Sequence, residues 1–486
     1  MLFSCRAFLA QLVEHPPCKR KVLGSIPRGG ISVILFHLTE VLQKKLIGNR
    51  FLFKMEYKVN LYEELTRRMF VNWAIVLDTY FSEKYVRNAL EHVYSKHPYL
   101  RCSIRQGDSL GDMVLVDSLL TEPILDYSIE QFDVASLHDR FEHIVCDFSN
   151  DLTCTDTAHF KVIADDVHSS TAIIGCFCHS CIDALSSIRV AVDLLYYMNS
   201  PQEPLPPSRE FVSVQNEIIL KEQEPNHIRF SNLKGEIWSA PIRLHEDSES
   251  CPSYFRTKRV LIPEDRMNRI LEACRKHGCS FQCYLWACMA LCQMALFHKE
   301  FPATIRFGTP ATTVGRAHFQ RPITKEDLVV GAYTIFVEGQ VEPQSAFWDF
   351  CSELRSQLRE AIEKEEQMND FFAICRAKDF SLIPPASFNG CTLGVTELRA
   401  KYNLFALKEF FFLPSVLRQP GMGGLNLHSF TIPGIGCYLH CTYCYPAFSP
   451  EDMERYAASL ETLFGAALEE EKNKTLQQLY EAIASN

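Results

Sequence analysis

Residues 170–198 read STAIIGCFCHSCIDALSSIRVAVDLLYYM, and the fold is decided there. The stretch STAIIGCFCH (170–179) is a short apolar run rich in Ile and Cys, the composition of a strand buried on both faces. DALSSIRVAVDLLYYM (183–198) is long enough and apolar enough for a buried helix. A strand–turn–helix holds a side chain at the end of a sheet, with rigid backbone on both sides. A general base is useful in that position. His179 closes the strand and Asp183 opens the helix, in H-x-x-x-D spacing. The spacing alone is weak, since about one match is expected by chance in such a chain. A second match does occur, His143 with Asp147, but it lies in RFEHIVCDF, a charged segment where the pair would sit along one helix face.

Strands and helices alternate on both sides of this unit. Before it come the strand AIVLDTYF (74–81) and the helix SEKYVRNALEHVYSKH (82–97), with Ser82 as N-cap and Pro98 as its stop. The strands LRCSIRQ and MVLVDS, a helical stretch in SIEQFDVASLHDRFEHIVCDF and the strand AHFKVIAD follow. SPQEPLPPS (200–208) has four Pro in nine residues and reads as a linker. Beyond it TKRVLI is a strand, and PEDRMNRILEACRKHG is a helix with Pro263 at its start and Gly278 past its end. SFQCYLWACMALCQMALF (280–297) is a deeply buried helix. ATIRFGTPAT, TIFVEG, the helix SAFWDFCSELRSQLREAIEKEE, GCTLGVTEL, LNLHSFTI, GCYLHCTYCYPAF and a closing helix SPEDMERYAASLETLF complete the alternation. The expected architecture is α/β, in two lobes of similar size: 55–199, then a crossover at 200–254, then 255–486.

Composition excludes other classes. The 486 residues carry 49 Lys+Arg against 59 Asp+Glu, a net charge of −10, so a general nucleic-acid binder is not expected. With 47% hydrophobic and 22% charged residues the chain has material for a large core. Many of the 20 Cys lie inside apolar runs such as AIIGCFC and SFQCYLWACMALCQM, as reduced thiols of a cytoplasmic protein do. Residues 1–54 stand apart, with nine Lys or Arg against Glu14 and Glu40. They contain no clean secretory signal, and ISVILF is far too short to span a membrane. QLVEHPPCKRKVLGSIPRGG resembles the translation of a tRNA-derived repetitive element. Residues 1–54 are therefore expected to be a non-native or disordered extension, with the fold beginning at Met55.

CHSCIDA (178–184) resembles the HHxxxDG motif of the coenzyme A-dependent acyltransferase superfamily. That superfamily includes the plant BAHD acyltransferases, alcohol acetyltransferases, polyketide-associated acyltransferases and nonribosomal peptide condensation domains. The likeness extends in order over most of 55–465, through ALEHVYSKHPYLRCSI, ILEACRKHGCSFQCYLWACMAL, TIRFGTPATTVGR, VVGAYTIFVEG and CYLHCTYCYPAFSPEDMERYAASLETLF. It implies two chloramphenicol-acetyltransferase-like lobes, each with a mixed sheet, and a tunnel between them. It further implies acyl transfer from acyl-CoA as co-substrate, with no bound cofactor, to an alcohol or amine. His179 would be the base, and Asp183 a structural carboxylate paired with an Arg of the second lobe. Arg306 is the candidate for that Arg, with Arg316 as the fallback. The motif departs from the family at Cys178 and Ala184. A condensation-type enzyme using a carrier-protein thioester, or an inactive binding member, is the alternative. A monomer is expected.

Weaker candidates remain. CYLHCTYC (437–444) spaces Cys437, Cys441 and Cys444 as a cluster-binding motif would, and His440 would complete a zinc set. In a strand, however, Cys441 and Cys444 face opposite ways, so no metal is expected. Arg316, with His318 and Arg321, forms a basic loop suited to the phosphates of coenzyme A, and Thr396 lies where relatives line the tunnel floor. No P-loop, dinucleotide fingerprint or nucleophile elbow appears.

Overall fold

In the computed structural model the strand at the centre of that reading, β7 (Ser170–Cys178), is the middle of a five-stranded sheet. The structure describes residues 55–58, 69–105, 113–117, 123–150, 155–212, 254–302, 305–314, 319, 322–365, 386–414, 424–445, 448–469 and 473–484. The basic segment 1–54 lies outside the described residues.

All nine residues of β7 are buried, as its composition requires. It pairs antiparallel with β2 (Phe70–Leu77) on one side and β6 (Ala158–Asp165) on the other. β5 (Leu125–Ile129) adds in parallel to β6, and β12 (Leu407–Phe412) pairs antiparallel outside β2. The strand read at 74–81 therefore begins and ends four residues earlier. All eight residues of FVNWAIVL are buried, and the chain turns at the polar Asp78. Helices α1 (Glu83–Lys96) and α3 (Ala184–Asn199) pack with one face of the sheet, and α2 (Val134–Asn150) covers the other. Ser82 holds the N-cap position of α1 without a side-chain capping bond. A small sheet of β1 (Met55–Lys58), β4 (Val114–Asp117) and β3 (Cys102–Arg105) borders this lobe.

The second lobe is a four-stranded mixed sheet, ordered β11 (Asn389–Val395), β13 (Leu425–Ile432), β14 (Gly436–Tyr445), β8 (Tyr254–Pro263). Helix α5 (Phe281–Phe297) is apolar on every side and forms the lobe's axis. Against it pack α4 (Glu264–Lys276), α6 (Phe347–Glu363), α7 (Pro450–Ala466) and α8 (Leu476–Ala484). Gly278 follows α4 with φ +63°, a backbone that favours glycine. The strands β9 (Ile305–Val314) and β10 (Ala332–Val341) form a separate antiparallel pair. Among the described residues no single helix is long and apolar enough to cross a membrane.

The two sheets do not divide at the linker. β12 comes from the segment read as the second lobe, yet it completes the first lobe's sheet. Nor do the described residues 200–212 of the crossover hang free. They lie along α1, where Glu203 O meets His92 Nε2 at 2.9 Å, and Arg209 N donates to Lys96 O at 2.8 Å. Residues 213–253 lie outside the described residues.

Candidate active site

His179 sits one residue past β7, in the turn that leads to α3. Its backbone N donates to Met69 O at 2.9 Å, which ties the turn to the start of β2. The ring is half-buried. Its Nδ1 is enclosed and has no hydrogen-bond partner. The backbone carbonyls of His179 itself and of Ile182 favour the protonated form of the ring. No hydrogen bond occupies Nε2 among the described residues. Burial pushes the imidazole pKa below its usual value, and the charge of Asp183 and those two carbonyls partly oppose the shift. The ring therefore stays neutral at neutral pH, as a proton acceptor must.

The Asp183 carboxylate is anchored in the framework. Its Oδ1 accepts from Ser186 N at 2.8 Å and caps α3, while its Oδ2 accepts from Gly331 N at 2.9 Å. Ser186 completes the clamp: its Oγ donates to Val329 O and receives Val329 N. The carboxylate thus fixes the turn that carries His179 and ties it to the segment before β10. Cys178 is buried at the end of β7. Ala184 is the first residue of α3, where the backbone is helical and a methyl group is no obstacle.

The register rules out Arg306 as the partner of Asp183. Arg306 lies opposite Gln340, whereas Gly331 lies nine residues back along that chain, about 30 Å at strand spacing. The Arg306 guanidinium pairs instead with Glu338. Arg316, with His318 and Arg321, lies outside the described residues. Thr396 is buried, but its Oγ1 donates to Thr431 O at 3.0 Å, so its proton ties the end of β11 to β13. In β14 the alternation places Cys441 in the core around α5. His440 is on the other face, where its Nδ1 lies 2.9 Å from Phe412 N.

The sequence reading passes over His428. It stands on β13 beside His440, its ring 5.3 Å from that of Phe412, and a proton on His179 would disfavour one on His428. Burial, and then His179, push its pKa down to about 4. The available signal is the alternation in LNLHSFTI, where Asn426 and His428 share the face opposite Leu425 and Leu427. Elsewhere, a cleft of about 520 Å³ is lined by Lys96, residues 206–210, Pro322, Thr324 and Asp327. Both of its cations are already paired, Lys96 with Asp193 and Glu326, and Arg209 with Asp327.

No protein-family model and no curated protein sequence matches the chain. Solved structures do. The trichothecene 15-O-acetyltransferase of Fusarium sporotrichioides superposes with a TM-score of 0.62 at 12% identity, covering 85% of this chain and 95% of that one. Polyketide synthase associated protein 5 of Mycobacterium tuberculosis gives 0.61 at 14% identity, over 84% and 98%. The first condensation domain of the calcium-dependent antibiotic synthetase gives 0.61 at 11% identity, over 87% and 98%. The fold is that of the acyltransferases and condensation domains. In that two-lobed acyltransferase fold, the H-x-x-x-D turn of this chain stands at the end of the first sheet's central strand. His428 belongs to the second sheet.

Proposed function

We propose that the protein transfers an acyl group from an acyl-CoA thioester to an alcohol or amine, with His179 as the general base. The observation that carries this reading is the His179 ring itself: held by rigid backbone, neutral, its Nδ1 enclosed and its Nε2 free to accept. In the reaction Nε2 takes the proton of the acceptor O–H or N–H as that atom attacks the thioester carbonyl. The tetrahedral adduct then collapses, the C–S bond breaks, and the imidazolium returns the proton to the departing thiolate. Base assistance of this kind is worth about 10²–10⁴-fold. Asp183 holds the turn and does not touch the reacting atoms. No cofactor is needed in this scheme. Acyl-CoA is a co-substrate, and Arg316 remains the candidate contact for the phosphates of coenzyme A.

A second reading has a specific support, because condensation domains stand among the structural neighbours. In it the donor is an acyl group on the pantetheine arm of a carrier protein supplied in trans. The test is to offer the protein a panel of acyl-CoAs and an acylated carrier protein in turn, each with mixed alcohols and amines, and to weigh the products by mass spectrometry. Acylated acceptor from acyl-CoA supports the first reading, and product from the carrier alone supports the second. No product from either donor with folded protein overturns both and leaves a binding protein on an enzyme fold.

A further inference from the structure

The face of the second sheet turned toward the first lobe carries two adjoining rows of polar side chains. Register sets Asn389, Asn426, Thr442 and Thr257 side by side across β11, β13, β14 and β8. The next row is Cys391, His428, His440 and Arg259. The opposite face, with Leu425, Leu427, Leu439 and Cys441, packs into the core around α5. Six polar atoms in the two rows are enclosed without a hydrogen-bond partner among the described residues. They are Asn389 Oδ1, Asn426 Oδ1, Thr442 Oγ1, Thr257 Oγ1, His428 Nδ1 and His440 Nε2. Asn426, Thr442, Thr257 and His440 are at most 5% exposed. Unsatisfied buried polar groups are costly, and folded proteins tolerate only a few. Their concentration on one face points to a ligand of matching chemistry.

The rows lead toward His179. Along β13, Phe430 packs on Phe410 with ring centres 5.2 Å apart, and His428 packs on Phe412, the last residue of β12. Asn426, one pair further on, lies past the end of β12. The same rows carry no net charge to offer. Burial pushes the His428 pKa to about 4 and that of His440 to about 3, so both rings are neutral. Arg259 is held by Glu409. A carboxylate, ammonium or phosphate would find no counter-charge here, whereas hydroxyl and amide groups would find both donors and acceptors.

We propose that this wall binds the neutral, hydroxyl- or amide-rich body of the acyl acceptor and sets the enzyme's preference for it. The proposal rests on the acyl-transfer reading. The pantetheine arm of the donor has the same chemistry, two amides and a hydroxyl, so the test separates the two sources.

The test is the double variant Asn426→Leu/Thr442→Val beside wild type, read three ways. In thermal unfolding, the midpoint should rise by about 1–3 °C, because unpartnered polar groups are replaced by apolar ones. A fall would make the wall a structural network and overturn the proposal. In turnover, wild type should favour hexane-1,2,6-triol over hexan-1-ol by about ten-fold in kcat/KM, the scale of one or two net hydrogen bonds. The variant should lose that preference mainly through KM. An unchanged preference overturns the proposal. In saturation-transfer NMR, the triol should contact wild type and not the variant. If the variant instead loses contact with pantetheine and keeps the triol, the wall reads the donor, and the acceptor assignment falls. If wild type turns over no thioester at all, the acyl-transfer reading fails. The triol's NMR contact then decides the binding site by itself.

Discussion

At the scale of single residues, the positions of His179 and Asp183 are legible in the sequence because both are tied to the local chain: one ends a strand, the other caps a helix. Their tertiary partners are not legible. Arg306 is the Arg that a nearby strand offers, but strand register, which no short motif encodes, moves it nine residues from where Asp183 binds. His428 escapes because an alternating strand shows which residues share a face and not which lobe that face meets. The environment of His179 has a consequence for pH. Its pKa lies below the usual 6.5, lowered by burial and only partly restored by Asp183. The neutral, active form should therefore persist as pH falls through 6.5, and the acid limb of kcat/KM should bend below that value. A bend at or above 6.5 in the pH profile contradicts this account of the base.

At the scale of elements, the periodic segments are legible and the irregular joins are not. The apolar helix at 280–297 agrees with its observed limits within a residue, because a helix apolar on all sides has few alternatives. β12, LKEFFF, is absent from the sequence reading, since three consecutive Phe show no alternation. It proves to be the strand by which the C-terminal half enters the first sheet. The clamp at the turn gives an element-scale prediction. Asp183→Ala removes the α3 cap, about 1 kcal/mol, and leaves the buried Gly331 N–H unpaired, about 1–3 kcal/mol more. Urea unfolding should show a loss of about 2–4 kcal/mol, with Asp183→Asn losing less because its amide oxygen still accepts. A loss under about 0.5 kcal/mol for the alanine variant would mean that the clamp is unimportant. A further contact of this kind joins α2 to β8. Burial raises the Glu142 pKa to about 7, and its Oε1 accepts from Thr257 N. Its contribution to stability is complete below the unfolded value near 4.5 and is lost as pH rises through 7. Glu142→Gln keeps the acceptor and removes the charge, so it should stabilise the protein at about pH 8 and not at about pH 5 in thermal unfolding.

At the scale of the whole molecule, the two lobes meet through polar groups that folding keeps neutral to lower pH than in the unfolded chain. His428 and His440 are depressed to about 4 and about 3. The unfolded chain takes up protons at these rings near pH 6.5, before the folded one does. Stability should therefore fall as pH drops from about 6.5 toward 4, by several kcal/mol in all, because each tenfold loss of proton affinity on folding is worth about 1.4 kcal/mol. A flat stability profile over that range would contradict the burial of these two histidines. The overall fold is legible because buried strands and helices alternate in a fixed order from residue 70 to residue 466. The polar face of the second sheet is not, because it depends on which side chains distant segments bring side by side. The most direct measurement is free thiol released from acyl-CoA in the presence of alcohols and amines, by protein begun at Met55, beside His179→Ala. The account predicts release that requires the acceptor and falls by about 10²–10⁴-fold in the variant, with both proteins folded. Equal release by the two proteins would contradict His179 as the base.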